Sequence, residues 1–396
     1  MDARKNPYAP GAGTPPPELA GRDDIIENAD VALCRIKDRR AARSVILYGL
    51  RGVGKTVLLQ RIRQNAERQK FVSVVLEAPE DRSLPAVLGP ALRATLIRMN
   101  LEARATHFLH RAFGALSSFA KAAKFKYGDV EFNMDFNPSN GIADSGNLES
   151  DLTDLLNAVG EAAKEAETVV VLFIDELQYI EETQLAALIT ALHQANQSQL
   201  PITLIAAGLP QLLGQLGKAK SYAERLFEFV PITALQPEHA RQALCIPARQ
   251  EGVEFTDGAV DEILSRTKGY PYFLQEWGKH AWREATQSPI TKDDAVRATT
   301  VALAEMDASF FRVRFDRLTP SEKRYMRAMA ELGAGPHRSG DVAALLNKKV
   351  NIVAPVRSKL IAKGMAYCPN HGDIAFTVPL FDGFMRRTMP ELASSE

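Results

Sequence analysis

Cysteine is scarce. The chain has three in 396 residues, Cys34, Cys245 and Cys368. They lie too far apart for a disulfide framework or for paired metal-ligand spacing, so a reducing compartment is expected. Long apolar runs are missing as well. No stretch approaches the roughly 18 residues of a membrane-spanning helix. The N-terminal run Met1 to Gly11 has no apolar segment of the kind a secretory signal needs. A cytoplasmic protein with no membrane partner is therefore expected. Net charge is also lacking: 48 Lys and Arg balance 48 Asp and Glu. No global basic field announces nucleic acid, although a local patch remains open. What is present is ample core material, 46% hydrophobic residues, and a length that suggests two or three domains at ~150 residues each.

The most informative segment is Gly49-Leu-Arg-Gly-Val-Gly-Lys-Thr56. A glycine, four residues and then Gly-Lys-Thr is the P-loop pattern. The apolar run Ser44–Tyr48 before it reads as a buried strand, and Val57–Ile62 after it reads as a helix. In that setting Gly49, Leu50, Arg51, Gly52, Val53, Gly54, Lys55, Thr56 and Val57 are the candidate binders of ATP or ADP. The glycines let backbone N–H groups converge on phosphate oxygens, and the helix start adds the positive end of its dipole. Lys55 reaches the β- and γ-phosphates, and Thr56 holds Mg²⁺ through its hydroxyl. Downstream, Val169–Ile174 is a run of six apolar residues that ends in Asp175-Glu176. Such a run suits a parallel strand covered on both faces, and ligands sit at the carboxyl ends of such strands. Asp175 is then the second Mg²⁺ candidate, and Glu176 the general base for the attacking water.

The rest of the chain divides as follows. Residues 1–20, with Pro7, Pro10 and Pro15 to Pro17, are expected to be a disordered, extended, proline-rich arm. Residues 21–232 form an α/β core with strands near 44–48, 71–76, 169–174, 201–207 and 227–232. Within it, 80–147 is longer than a minimal crossover needs and reads as an insertion for self-assembly or partner contact. It is helical over 80–123, and Lys124 to Phe136 alternates about a Gly-Asp turn like a hairpin. Residues 233–314 form an α-helical lid. Residues 315–390 pattern as three helices, 321–332, 339–347 and 351–363, with two strands about the turn Pro369–Gly372, the signature of a winged helix.

A P-loop core, a helical lid and a C-terminal winged helix resemble the AAA+ ATPases of the origin-recognition initiator type, and equally the STAND-type signalling ATPases. The resemblance rests most strongly on GLRGVGKT and VVVLFIDE. It implies an ATPase that assembles when ATP binds. Gly21-Arg22-Asp23 stands where these families place a short motif beside the adenine, so Arg22 is a cofactor candidate. Gly269-Tyr-Pro271 is similar to the Gly-x-Pro element of STAND lids, where the proline packs near the base. Pro271 is a second candidate, with a plain helix–helix turn as the alternative. Arg225 falls where AAA+ proteins carry the arginine finger that reaches a neighbouring subunit's γ-phosphate; the alternative is a surface arginine paired with Glu224 or Glu228. The usual polar sensor on the fourth strand is replaced by Ala206-Ala207-Gly208, and no sensor arginine follows Pro271 before Arg283. Slow hydrolysis is expected, since fewer groups stabilise the transition state. Gln178 either orients water or is an ordinary polar residue.

From Phe315 onward there are 12 Lys and Arg against 8 Asp and Glu, a local excess of +4. Lys348, Lys349, Arg357 and Lys359 on or near the third helix, with His371 at the wing tip, are the nucleic-acid candidates; Lys363 belongs to the same basic group. Two functions stay open: a switch that contacts duplex DNA, or a signalling or defence switch whose winged helix binds an unidentified protein. A metabolic kinase would leave the lid and winged helix without a purpose.

Overall fold

The computed structural model describes residues 1–11, 13–78, 82–103, 107–127 and 141–392. Five short, β-branched and apolar segments form its sheet: β1 (Ser44–Tyr48), β2 (Val72–Glu77), β3 (Val170–Asp175), β4 (Ile202–Gly208) and β5 (Phe227–Pro231). They are all parallel, in the order β2-β3-β4-β1-β5. Alternate side chains of one strand go to opposite faces. Val45 and Leu47 therefore join one core with Phe173 and Ile205, and Ile46 joins another with Leu172, Ile174 and Leu204.

The first face is covered by α1 (Asp23–Lys37) and α2 (Lys55–Arg68), through Ala29, Leu33, Leu58, Leu59 and Ile62. The second is covered by α3 (Leu84–Ala103), α4 (His107–Tyr127), α5 (Leu148–Glu165) and α6 (Glu182–Gln197). The stretch read as an insertion is thus built into the core. Leu88, Leu92 and Leu96 of α3 and Phe113, Leu116 and Phe119 of α4 are buried in the same cluster as the sheet. The expected hairpin begins instead as helix, because Lys124 to Tyr127 continue α4; the rest of it lies outside the described residues. After β4 come α7 (Leu212–Ala219) and the single turn α8 (Ala223–Leu226).

The lid follows as α9 (Pro237–Gln250), α10 (Asp257–Thr267), α11 (Pro271–Glu284) and α12 (Lys292–Ala308). Pro237 and Pro271 open their helices at positions where no intrahelical N–H is needed. Then α13 (Phe310–Asp316) leads into α14 (Pro320–Leu332), β6 (His337–Arg338), α15 (Ser339–Leu345), α16 (Val350–Ala362), β7 (Ala366–Tyr367), β8 (Asp373–Phe376) and α17 (Phe381–Thr388). The last three strands form a small antiparallel sheet in the order β6-β8-β7. Thr319 and Glu322 close a reciprocal capping box at the start of α14. Lid and C-terminal region share one hydrophobic core, which contains Trp277, Phe311, Phe315, Phe381 and Phe384.

The N-terminal arm departs from expectation. It has little regular structure, a three-residue 3₁₀ turn at Ala3–Lys5, but it is not free. The Met1 ammonium donates to Ala285 O at 2.8 Å, Trp282 Nε1 to Asp2 O at 2.9 Å and Asn6 Nδ2 to Lys279 O at 3.0 Å. The Tyr8 ring is buried against α11, and its hydroxyl donates to Leu244 O of α9. Composition alone misjudged the arm because its order comes from a groove on the lid, not from its own contacts.

Candidate functional site

The loop Gly49–Gly54 turns directly out of β1 into α2. Gly54 sits at φ 90° as the residue before the helix, a conformation that strains any other residue. Gly49 passes so close to the β5 end that a Cβ there would lie 2.0 Å from Ile232 O. Lys55 is folded back under the loop and donates to Gly49 O at 3.0 Å and Leu50 O at 2.9 Å. Burial pushes its pKa down to about 8, against the pull of Glu176 and Asp175, with Arg51 lowering it further. A desolvated ammonium of this kind is a strong attractor for phosphate.

Asp175 closes β3, in register with Glu77 at the end of β2. Its Oδ2 accepts from the Thr56 hydroxyl at 2.6 Å, and its Oδ1 from the Glu176 N–H at 2.8 Å. Burial raises its pKa, although those two bonds oppose the rise. A hydroxyl and a carboxylate oxygen side by side are hard donors and fit Mg²⁺. Glu176 takes the left-handed conformation, φ 52° and ψ 37°, an unusual state for a non-glycine residue and one concentrated at functional sites. Its carboxylate is held from two sides. Gln178 Nε2 donates to Oε2 at 2.5 Å, and Arg51 Nη1 stands 3.6 Å from Oε1.

Gln178 is therefore no ordinary surface residue. It is buried on a 3₁₀ turn, and its Oε1 accepts the Leu209 N–H just past β4 at 2.9 Å. The amide thus stands at the strand end where the sequence has no polar sensor. Its spacing from Asp175 was visible in sequence, but its reach to β4 was not.

Arg51 to Val57, Asp175, Glu176, Arg22 and Pro271 line one pocket of about 460 Å³, within the usual range for small-molecule sites. Arg22 is buried, donates to Thr233 O at 2.5 Å, and has its pKa lowered by desolvation. Gly49 and Leu50 belong to the loop's other flank, where they border a wider cleft toward the C-terminal region. Three groups on the pocket wall were not read from sequence: parts of the arm, Ala9 to Gly11, Gly13, Thr14 and Glu18 to Ala20 among them, Tyr272 and Arg314. Nothing local marks them, since chain segments far apart in sequence bring them there. Tyr272 N donates to Gly52 O at 3.1 Å, tying lid to loop.

The remaining candidates lie elsewhere. Arg225, on α8, is exposed and has no side-chain partner among the described residues, so the alternative, a pairing with Glu224 or Glu228, is not made. Lys348, Lys349, Lys359 and His371 are exposed. Arg357 is committed to the small sheet: it donates to Asp373 O at 2.9 Å and to Cys368 Sγ at 2.6 Å. Lys363 pairs with the buried Glu322 at 2.7 Å. The α16 face with Val350, Ala354, Arg357 and Ser358 looks across the wider cleft, about 1300 Å³, at the P-loop core. Among the described residues no helix is long and apolar enough to cross a membrane.

Residues 18–205 match the family model of the AAA ATPase domain, and residues 308–385 match a domain of unknown function, DUF8462. No curated protein matches the sequence. Among solved structures, a Walker-type ATPase of Pyrococcus abyssi is similar over 94% of this chain and 97% of its own, at 14% identity and TM-score 0.62. The ORC1 protein of Aeropyrum pernix in complex with DNA aligns over 95% and 94%, at 13% identity and TM-score 0.47. The RuvB Holliday junction branch migration motor of Thermotoga maritima aligns over 90% and 92%, at 17% identity and TM-score 0.45. At such identities the likeness to the first is one of fold.

Proposed function

This chain is an ATPase built on an AAA domain, and from that premise we propose that it is a slowly cycling molecular switch whose C-terminal region, read as a winged helix, reports the nucleotide state to duplex DNA. The observation that carries the reading is a direct bond between the two parts. Arg51 N, inside the P-loop, donates to Thr377 O just past β8 at 2.9 Å, and the Arg51 guanidinium reaches Tyr179 OH at 2.8 Å. A change of loop shape at Arg51 would then disturb the C-terminal region.

In the chemistry proposed, Lys55 and the loop N–H groups hold the phosphates of ATP. Thr56 and Asp175 would hold Mg²⁺, which when bound neutralises phosphate charge. Glu176 accepts the proton of the attacking water once Gln178 and Arg51 release its carboxylate. Those two restraints, together with Ala206 and Ala207 where a polar sensor is usual, support slow turnover. Arg225, exposed and unpaired, is the candidate for completing a neighbouring copy's site in an ATP-dependent assembly.

Lys348, Lys349, Lys359 and His371 are the free basic groups for DNA phosphates. In this arrangement the α16 face is turned to the core, so DNA reading requires the cleft to open. A second reading, a signalling switch with a protein partner, is favoured by one feature: Val350 and Ile352 at the start of α16 are 49% and 59% exposed.

The test is duplex binding across a salt series with ATP, ADP and the Lys55→Ala variant, with mass by light scattering. The DNA reading expects binding that is stronger with ATP, falls with salt and is lost in Lys55→Ala. Undetectable binding at low salt with ATP refutes it in favour of the protein reading. Arg225→Ala should lower ATPase activity at concentrations where the protein assembles; unchanged activity there removes the finger role.

A further inference from the structure

We propose that Arg314 is a phosphate-binding residue, one that senses the terminal phosphate of ATP in cis from the first helix of the C-terminal region. The proposal deepens the switch reading above and rests on its nucleotide site.

Arg314 lies on α13 and lines the same 460 Å³ pocket as Lys55, Thr56, Asp175 and Glu176. Its position is fixed by a ladder that starts on the P-loop. The Tyr272 backbone is bonded to Gly52 O; its ring stacks on Phe310, with centroids 4.7 Å apart at 23°. The Arg314 guanidinium lies over the Phe310 ring at 4.0 Å, and its Nη1 donates to Phe310 O at 2.6 Å. The other donors of the fork are not engaged by any carboxylate: among the described residues Arg314 has no ion-pair partner within 4.0 Å.

A largely desolvated guanidinium without a counter-charge is costly, and an arriving anion relieves that cost. The planar fork suits phosphate oxygens. Burial, and next the Arg51 charge, depress its pKa to about 10, with Glu176 acting in the opposite sense. Arg51 and Glu176 mark the hydrolytic end of the site proposed above, and Arg22 and Pro271 are its candidates for the base. Arg314 is therefore placed for the terminal phosphate and not for the nucleoside.

The helix that carries it is a joint. Phe311 packs on Phe381 and Phe384 with centroids 5.8 and 5.3 Å apart, and Phe315 packs on Phe384 at 5.7 Å. A phosphate that draws Arg314 inward pulls on α17 through these rings. The chain thus supplies, from the helix that follows α12, a cation that α11 does not provide at this pocket. It also gives the C-terminal region its own contact with the nucleotide.

The experiment measures, on the full chain, affinities for ADP and for a non-hydrolysable ATP analogue with Mg²⁺. The proteins are wild type, Arg314→Ala, Arg314→Lys and Lys55→Ala. A charge-assisted contact made to the terminal phosphate predicts that Arg314→Ala loses about 10- to 100-fold for the ATP analogue. ADP should stay within about threefold, and Arg314→Lys should recover part of the loss. Equal affinity for the analogue in wild type and both Arg314 variants overturns the proposal. So does an equal loss for ADP and the analogue, which marks a packing role on Phe310. Should Arg314→Ala fail to fold, the Lys variant and an Arg314→Gln variant decide by the same ratio. Lys55→Ala separates the premises: if wild type binds neither nucleotide, the switch reading itself falls. If wild type binds both, Lys55→Ala binds neither and the Arg314 variants show no ATP-selective loss, only the Arg314 assignment falls.

Discussion

Gly278→Ala is expected to destabilise this protein, although an alanine in the middle of a helix such as α11 ordinarily stabilises it by about 1 kcal/mol over glycine. The reason is Tyr8. A Cβ at residue 278 would lie 2.7 to 2.8 Å from three atoms of the Tyr8 ring, far inside van der Waals contact, and both the ring and the helix backbone are hemmed in. The ring must leave its groove. Tyr8 is 4% exposed. Burying an aromatic ring covers ~150–250 Å², at ~25 cal/mol/Å² an upper bound of about 4–6 kcal/mol. Displacing the arm relieves the clash, so the loss is limited to about 2–3 kcal/mol, the upper part of the usual cost of overpacking, less the helix gain. The sign then depends on background. In wild type Gly278→Ala should cost about 1–2 kcal/mol; in Tyr8→Ala, where no ring is in the way, it should stabilise by about 1 kcal/mol. Chemical denaturation of the four proteins measures this. Limited proteolysis should show cleavage within residues 9–20 in both single variants. ADP affinity should fall as well, because the arm from Ala9 onward walls the nucleotide pocket and a Cβ on Gly13 would lie only 3.4 Å from Thr56 Cγ2. The reasoning is refuted if Gly278→Ala has the same effect in both backgrounds, or if the arm becomes protease-sensitive while ADP affinity stays at its wild-type value.

Glu176→Gln should keep nucleotide affinity within a few-fold and slow hydrolysis by ~10²–10⁴-fold; single-turnover hydrolysis checks this, and a loss under tenfold would remove Glu176 as base. Gly208→Ala would set a Cβ 2.8 Å from Gln178 Oε1 and 2.7 Å from Leu212 Cδ2. It should free Glu176 from Gln178 and change the hydrolysis rate while leaving ADP binding intact; an unchanged rate would mean that the Gln178 bond does not position the base. Acid should loosen the C-terminal region. Burial would raise the Glu322 carboxyl, but the bonds from Lys363 at 2.7 Å and Thr319 N at 2.8 Å outweigh it and hold the group below its usual range. Its stabilisation is therefore present above the unfolded pKa of about 4.3 and is lost as pH falls through the lower folded value. Glu322→Gln should flatten the acid limb of the stability curve, and an unaltered limb would assign it to other groups.

The sheet, the P-loop and the acidic pair were legible because each is written in contiguous residues. The short, β-branched run Val169–Ile174 suits a covered strand, and the glycines of Gly49–Gly54 with Lys55-Thr56 behind them suit a loop that turns into a helix. Strand limits agree within a residue. The arm was misjudged because Pro7, Pro10 and Pro15 to Pro17 describe what the backbone cannot do and say nothing of the groove over Gly278 that receives Tyr8. The hairpin reading at Lys124–Phe136 rested on alternation, which α4 overrides at least as far as Tyr127 by extending a helix already packed on the sheet. The place of Arg357 on a helix suggests a DNA reader; its bond to Asp373 O is invisible without the sheet that presents that carbonyl.

What decides the character of the site is where its charges are spent. Lys55 is engaged with two carbonyls of its own loop, Glu176 with Gln178 and Arg51, and Arg51 also with Tyr179. A motor that turns over rapidly gains from groups already aimed at the transition state; here the base is restrained by neighbours that connect to β4 and to the C-terminal region. Tyr179 OH lies 3.2 Å, and the Arg51 guanidinium 3.1 Å, from where a Cβ on Gly364 would stand, in the turn between α16 and β7. Releasing Glu176 thus means shifting the Arg51 guanidinium, which disturbs that turn, while the backbone N–H of the same residue holds Thr377 O. In the proposed switch, hydrolysis and movement of the C-terminal region would then draw on one residue, Arg51, through its guanidinium on Glu176 and its backbone N–H on Thr377 O. That shared residue, and not the count of phosphate-binding groups, is the physical argument for a timer.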